Sequence, residues 1–305
     1  MAEQQMDRAR VFEVGPRDGL QNEQAILSVE TRIALIERLV EAGVQDIEIG
    51  SFVHPKWLPQ MANTDEVARR MTRRDGVRYW ALVPNMRGLE RALQTNITHI
   101  AVFVSASETH NRKNLNRSVD ESMAEIREVM SAAVDSGVEA RAYVSMVFGC
   151  PYEGKISFDR VLDISESLLA MGVGMISLGD TTGIGTPLQV RQGCHRALER
   201  FGPERLALHL HDTRGMGVTN AMVAWEAGMR AFDSSVGGIG GCPYAPGAAG
   251  NLGSEDLVYL FDSMGVETGI SLDALGATSR WLEEAAGIKV PSRCTNYMQS
   301  ARRDL

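Results

Sequence analysis

Eight short runs rich in β-branched and aromatic residues recur along the chain, and a segment with helical spacing of apolar residues separates each from the next. The runs are VFEVGP (11–16), VQDIEIGS (44–51), VRYWALVP (77–84), THIAVFVS (98–105), ARAYVSMVF (140–148), GMISLGD (174–180), LALHLHD (206–212) and AFDSSVG (231–237). In the first intervening segment Ser28 is placed to cap, Ile33, Ile36, Leu39 and Val40 share one face, and Gly43 ends the helix. The segment over 118–137 opens with a capping box, Ser118 and Glu121, and stops at Gly137. Further helices are predicted around 62–74, 86–94, 158–171, 186–201, 215–229 and 253–264. Parallel strands joined by helices must be covered on both faces, and eight such units close naturally into an α/β fold of the (β/α)8 barrel type. An open doubly wound sheet would place a GxGxxG loop after the first strand, and GPRDGLQN is not that pattern. No linker divides the 305 residues, so one catalytic domain over 1–305 is expected, with the barrel over about 10–270 and a helix near 271–286 plus a polar tail over the rest.

Partners are narrowed by charge. A net charge of -8 and a pI near 5.4 argue against a nucleic-acid surface. Cys150, Cys194, Cys242 and Cys294 form no CxxC pair, which suits a reducing, cytoplasmic setting better than a disulfide framework. The polar start MAEQQMDRAR and the lack of a long apolar run predict neither signal peptide nor membrane span.

In such a barrel the chemistry sits at the C-terminal ends of the strands. Those ends carry Arg17 and Asp18 after the first run, Glu48 in the second, Asp180 at the end of the sixth, and His209 and His211 in the seventh. Side chains alternate along a strand, so the two histidines share a face, about 6.5 Å apart, within reach of one cation. In isolation an HxH reads as two separately bonded histidines; at a strand end among polar groups it reads as a ligand pair. Asp18 would add a hard ligand or serve a turn, and Asn251 would add a carbonyl or cap the helix that follows. Nitrogen and oxygen donors without cysteine suit Mg²⁺ or Mn²⁺, while a histidine pair also suits Zn²⁺. Arg17 offers a positive fork for an oxyanion, or a rim ion pair with Glu48 or Asp180. The segment GGIGGCPYAPGAAGN (237–251) has the composition of a shaped loop able to close over the site and carry Cys242 to it.

Together EVGPRDGLQNE (13–23), SFVHPKWLPQM (51–61), GCPYEGKIS (149–157), ISLGDTTGIGTP (176–187), HLHDTRG (209–215) and GGCPYAPGAAGNLGSEDLVYL (240–260) resemble the 3-hydroxy-3-methylglutaryl-CoA lyase family, metal-dependent lyases on a TIM barrel. The likeness spans nearly the whole chain. It implies that Asp18, His209, His211 and Asn251 are metal ligands, that Arg17 and Cys242 are catalytic, and that Glu48, Asp180 and Glu255 are acidic residues of the site. It implies cleavage of 3-hydroxy-3-methylglutaryl-CoA to acetyl-CoA and acetoacetate, with Arg17 facing the thioester oxygen, Cys242 protonating the enolate carbon, and Asp180 or a liganded histidine, His209 included, as the base. For the CoA phosphates the loop HNRKNLNRS (110–118) offers Arg112 and Lys113 beside Arg117. Gly50 and His54 stand where the family usually has threonine and serine, and Arg214 where an aromatic residue is frequent. All three are expected near the mouth, where they would admit a different substituent at C3. A condensing synthase or aldolase of the same barrel group is the alternative; such synthases usually carry further C-terminal domains. A homodimer is the default expectation for assembly.

Overall fold

The computed structural model describes residues 7–240 and 250–301. Eight parallel strands close a barrel in sequence order, each hydrogen-bonded to the next and the last to the first: β1 (Arg10–Glu13), β2 (Asp46–Ser51), β3 (Arg78–Leu82), β4 (His99–Ser105), β5 (Glu139–Ser145), β6 (Met175–Asp180), β7 (Leu206–Leu210) and β8 (Ala231–Ser234). Around them lie α1 (Val29–Glu41), α2 (Thr64–Arg70), α3 (Met86–Leu93), α4 (Glu108–Leu115), α5 (Val119–Asp135), α6 (Phe158–Ala170), α7 (Pro187–Phe201), α8 (Gly217–Ala227) and α9 (Ser254–Ser263), followed by α10 (Leu272–Ala286) and α11 (Arg293–Ala301). The main apolar core fills the layer between barrel and helices, a single cluster that includes Ile47, Ile49, Leu208 and Leu210 from the strands and Leu35, Ile36 and Val258 from the helices. Inside the barrel a smaller plug of Phe12, Trp80, Met175, Ala207 and Ala231 closes the lower half, as expected of a packed interior. No helix among the described residues is long and apolar enough to cross a membrane.

Helix starts follow local chemistry. Ser28 accepts from Thr31 N, and the Ser118–Glu121 capping box forms in full. Several elements differ from the sequence expectation for reasons of local geometry. The stretch 110–118 is largely helix, not loop: Ser107 caps α4 by accepting from His110 N, and Asn116 ends it with φ 56°. Its apolar periodicity is too thin to read, so capping alone marks it. The expected tail contains α11, which packs on α9 and is anchored where Asp256 accepts from Cys294 N. β1 and β8 stop short of the predicted 16 and 237. Past Glu13 the chain turns into a five-residue π-helical turn over Gly15–Gly19, and past Ser234 into a short 3₁₀ turn over Val236–Gly238. Gly19 permits this close approach, since a Cβ there would lie 2.6 Å from Ile239 Cγ1.

Candidate active site

The π-helical turn after β1 carries Arg17 and Asp18 to the top of the barrel, across β8 from the histidines of β7. On β7, Ala207 lies in the barrel interior, so His209 also points inward, and His211 follows two residues on. One ligand atom from each of Asp18, His209 and His211 lies within 4.8 Å of the others. The two Nε2 atoms are 3.2 Å apart, and Asp18 Oδ2 is 4.0 Å from His209 Nε2. Asn251, paired with His211 through an isolated β-bridge, donates from Nδ2 to Asp18 Oδ2 at 2.9 Å. It is not a helix cap; Gly253 occupies that position for α9.

Burial works against charge on Asp18, but Arg17, His209 and His211 outweigh it and hold the carboxyl down at about 2. Burial, helped by His209, pushes His211 down to about 3, so its imidazole is neutral at physiological pH. Asp233 fixes the other ring. Its Oδ2 faces His209 Nδ1 at 3.2 Å and accepts from Ser177 Oγ at 2.8 Å, while Arg141 Nη2 donates to Oδ1 at 2.6 Å. A carboxylate on Nδ1 holds an N–H there and turns Nε2 toward Asp18 and His211.

This set fits a divalent cation. Two imidazole nitrogens and an ionised carboxylate converge, and Asn251 Oδ1 is buried without a hydrogen-bond partner among the described residues. A cation would supply what that oxygen and the facing nitrogen pair lack.

Beside it lies a charged relay. Arg17 pairs with Asp18 through Nη1 and donates from Nη2 to Glu48 Oε2 at 2.9 Å; Tyr143 Oη donates to the same oxygen at 2.7 Å. Burial opposes the Arg17 charge, but Glu48 and Asp18 raise its pKa well above the usual value. Arg17 Nε and Glu48 Oε1 are buried and unpartnered among the described residues, two polar atoms left over at the rim of the candidate metal centre.

Other sequence-selected residues have different surroundings. Asp180 has the strand parity of Ile176 and Leu178, which pack outward, and accepts from Ile184 N and Gly185 N. Burial, opposed by those N–H groups, raises its carboxyl to about 6. Glu255 accepts from Gly237 N at 2.8 Å and from Ser279 Oγ, tying the 3₁₀ turn to α10. Arg112 pairs with Glu108 one turn back at 3.0 Å, and Lys113 lies 4.9 Å over the Tyr152 ring. Cys242 lies outside the described residues, as does all of 241–249.

Of the three departures expected near the mouth, Gly50 is corrected in its placement. A register shift between Glu48 and Gly50 turns position 50 toward the helices: a Cβ there would lie 2.5 Å from Arg32 Nη2 and from Thr64 Oγ1. His54 is exposed and its Nδ1 accepts from Lys56 N, closing its own turn. Arg214 donates to the carbonyls of Thr182 and Gly183, so it pins the loop after β6. Asp233, Arg141, Tyr143 and Ser177 were not singled out from the sequence. Alternation along ARAYVS and AFDSSVG was the available signal: Arg141 with Tyr143, and Ala231 with Asp233, share the inward parity.

The chain matches the HMGL-like family model over residues 8–282. It is 45% identical over 294 residues to a hydroxymethylglutaryl-CoA lyase of Bacillus subtilis, covering 96% of this chain and 98% of the relative. It is 44% identical over 297 residues to an (R)-citramalyl-CoA lyase of Chloroflexus aurantiacus, covering 94% of each. Among solved structures, an HMG-CoA lyase from Acinetobacter baumannii in complex with coenzyme A and 3-methylmalate superposes with a TM-score of 0.91 at 41% identity, covering 95% of both chains.

Proposed function

The chain belongs to the HMGL-like family, and from that membership and its site we propose that it is a carbon–carbon lyase cleaving 3-hydroxy-3-methylglutaryl-CoA to acetyl-CoA and acetoacetate. The observation that carries this reading is the convergence of Asp18, His209 and His211 within 4.8 Å, with Arg17 bonded to the same aspartate.

Asp18, His209, His211 and Asn251 would hold a divalent cation, Mg²⁺ or Mn²⁺ by their donor set, which when bound polarises the substrate's hydroxyl and carboxylate oxygens. Asp233, facing His209 Nδ1, orients the ring so that its Nε2 is turned to the site. Arg17 is held by Asp18 and Glu48 with Nε uncommitted among the described residues; it carries a fixed positive charge to the thioester oxygen, where an enolate's charge develops. Glu48 and Tyr143 keep that guanidinium from swinging away. Asp180, its oxygens occupied by the Ile184 and Gly185 amides, is assigned to shaping the loop after β6. The family resemblance assigns delivery of a proton to the enolate carbon to Cys242.

Purified protein with Mg²⁺ or Mn²⁺ is expected to form acetoacetate from 3-hydroxy-3-methylglutaryl-CoA and to stop on chelation. (R)-Citramalyl-CoA, the compound in the Chloroflexus relative's name, is the comparison substrate. Turnover of that compound alone would overturn the assignment.

A further inference from the structure

At the opposite end of the barrel four arginines surround one aspartate. Arg10 opens β1, Asp46 opens β2, Arg78 opens β3, Arg230 immediately precedes β8, and Arg8 lies just before β1. These four strands are neighbours in the barrel, so their N-terminal ends converge on a cavity of about 310 Å³. We propose that this cavity is a second ligand site, for a small dianion bearing a phosphate group or two carboxylates.

The charge count motivates it. Asp46 is buried and accepts five hydrogen bonds: Nε and Nη2 of Arg10 at 2.8 Å each, Nε of Arg78 at 2.6 Å and its Nη2 at 2.5 Å, and Trp80 Nε1 at 2.9 Å. That carboxylate is saturated, and it balances one of four guanidiniums. The neighbouring Glu139 acts on Arg78 but is 76% exposed on its own strand, while His99 is pushed toward its neutral form by burial. Among the residues that line the cavity three positive charges are left in excess, in a chain whose net charge is -8. A local field of that sign at a concave site draws anions.

The donors are available as well as the charge. Arg10 and Arg78 spend Nε and Nη2 on Asp46, leaving Nη1 of each. Arg230 lies over the Trp225 ring at 4.1 Å and of its N–H donors commits Nη1, to the carbonyls of Trp225 and Met229, and Arg8 reaches Gln45 Oε1 at 3.2 Å through Nη2. Guanidinium forks held by an existing network match the planar or tetrahedral oxygens of carboxylate and phosphate. Asp46 thus serves as the post that aims two of them. The cavity's position at the strand N-termini separates it from Asp18 and the histidines at the other end.

The test uses the intact, Mg²⁺-loaded protein, with thermal midpoint and calorimetric titration read against inorganic phosphate, malonate, and chloride at matched ionic strength. A saturable rise in midpoint with phosphate or malonate, absent with chloride, is expected, and the lower half-saturation of the two identifies the ligand class. The double variant Arg8→Gln with Arg230→Gln leaves the Asp46 network and the lyase site untouched. It is expected to keep its basal turnover and to weaken anion binding about tenfold, the scale on which loss of charge-assisted bonds acts. Should the double variant not fold, Arg8→Gln alone carries the comparison. Equal shifts with chloride, no saturation, or undiminished affinity in the variant would overturn the proposal, the last by locating the anion elsewhere.

Discussion

Asp233 touches no expected substrate atom, yet it sets which nitrogen of His209 faces the site. It does so because Arg141 and Ser177 hold its carboxylate in place, and because burial against ionisation is outweighed by Arg141 and His209, which keep it charged. Asp233→Asn preserves the shape but offers an N–H where His209 Nδ1 needs an acceptor. Loss of such an outer partner is expected to weaken metal binding by about 10–100-fold, read by competition with a fluorescent chelator. An unchanged affinity in a folded variant would show that the β7 geometry alone orients the ring. The histidine pair itself was legible in the sequence because parity along a strand is a local property. Asp233 was legible only as an inward residue on another strand, since its role depends on a ring 24 positions away.

At the scale of the element, β2 shows how one irregularity redirects a side chain. Counting by twos from Glu48 puts Gly50 at the mouth, but the register shift between them turns it to the α1 and α2 side. There Arg32, fully buried, fills the space: its Nη2 donates to the Ile49 carbonyl at 2.9 Å, and burial alone lowers its pKa to about 10. Gly50→Thr is therefore expected to act on stability, by about 1–3 kcal/mol of overpacking against Arg32 and Thr64, with KM for the acyl-CoA unchanged. Urea unfolding beside steady-state kinetics checks both; an altered KM at full stability would return position 50 to the pocket. The capping signals at Ser28 and Ser118 were readable because they need only three residues of local sequence. α4 was not, because its apolar face is too small to show a period.

Across the whole molecule, Glu13 ties the ends of the chain together. Its Oε1 accepts from Gly15 N and from Val236 N, 223 positions away, and its Oε2 accepts from Ser254 Oγ at 2.5 Å. Burial, opposed by those donors, raises its carboxyl from 4.5 to about 8. Below 4.5 both the folded and unfolded chains bind this proton; as pH rises from there to 8 the unfolded chain releases it first, so Glu13's contribution to stability falls across that window. Glu13→Gln keeps the acceptor and cannot ionise. Its unfolding free energy, from urea titrations between those limits, is expected to decline less steeply with pH than that of the parent chain. Parallel slopes would mean that Glu13 is already ionised in the folded state.

The barrel was readable from the order of its elements, because eight alternations of strand and helix leave few other ways to cover a parallel sheet. The chemistry was readable as far as strand ends go, for period-two alternation needs no knowledge of neighbours. Beyond the ends of the strands that rule lapses. Where Arg17 and Asp18 point is decided by the π-helical turn and by its contact with the 3₁₀ turn after β8, and whether Asn251 caps a helix or faces Asp18 is decided by its bond to Asp18, 233 positions away. Bonds over such separations exist only once the barrel has closed. That is why the donor types were evident in the sequence while their convergence belonged to the tertiary structure.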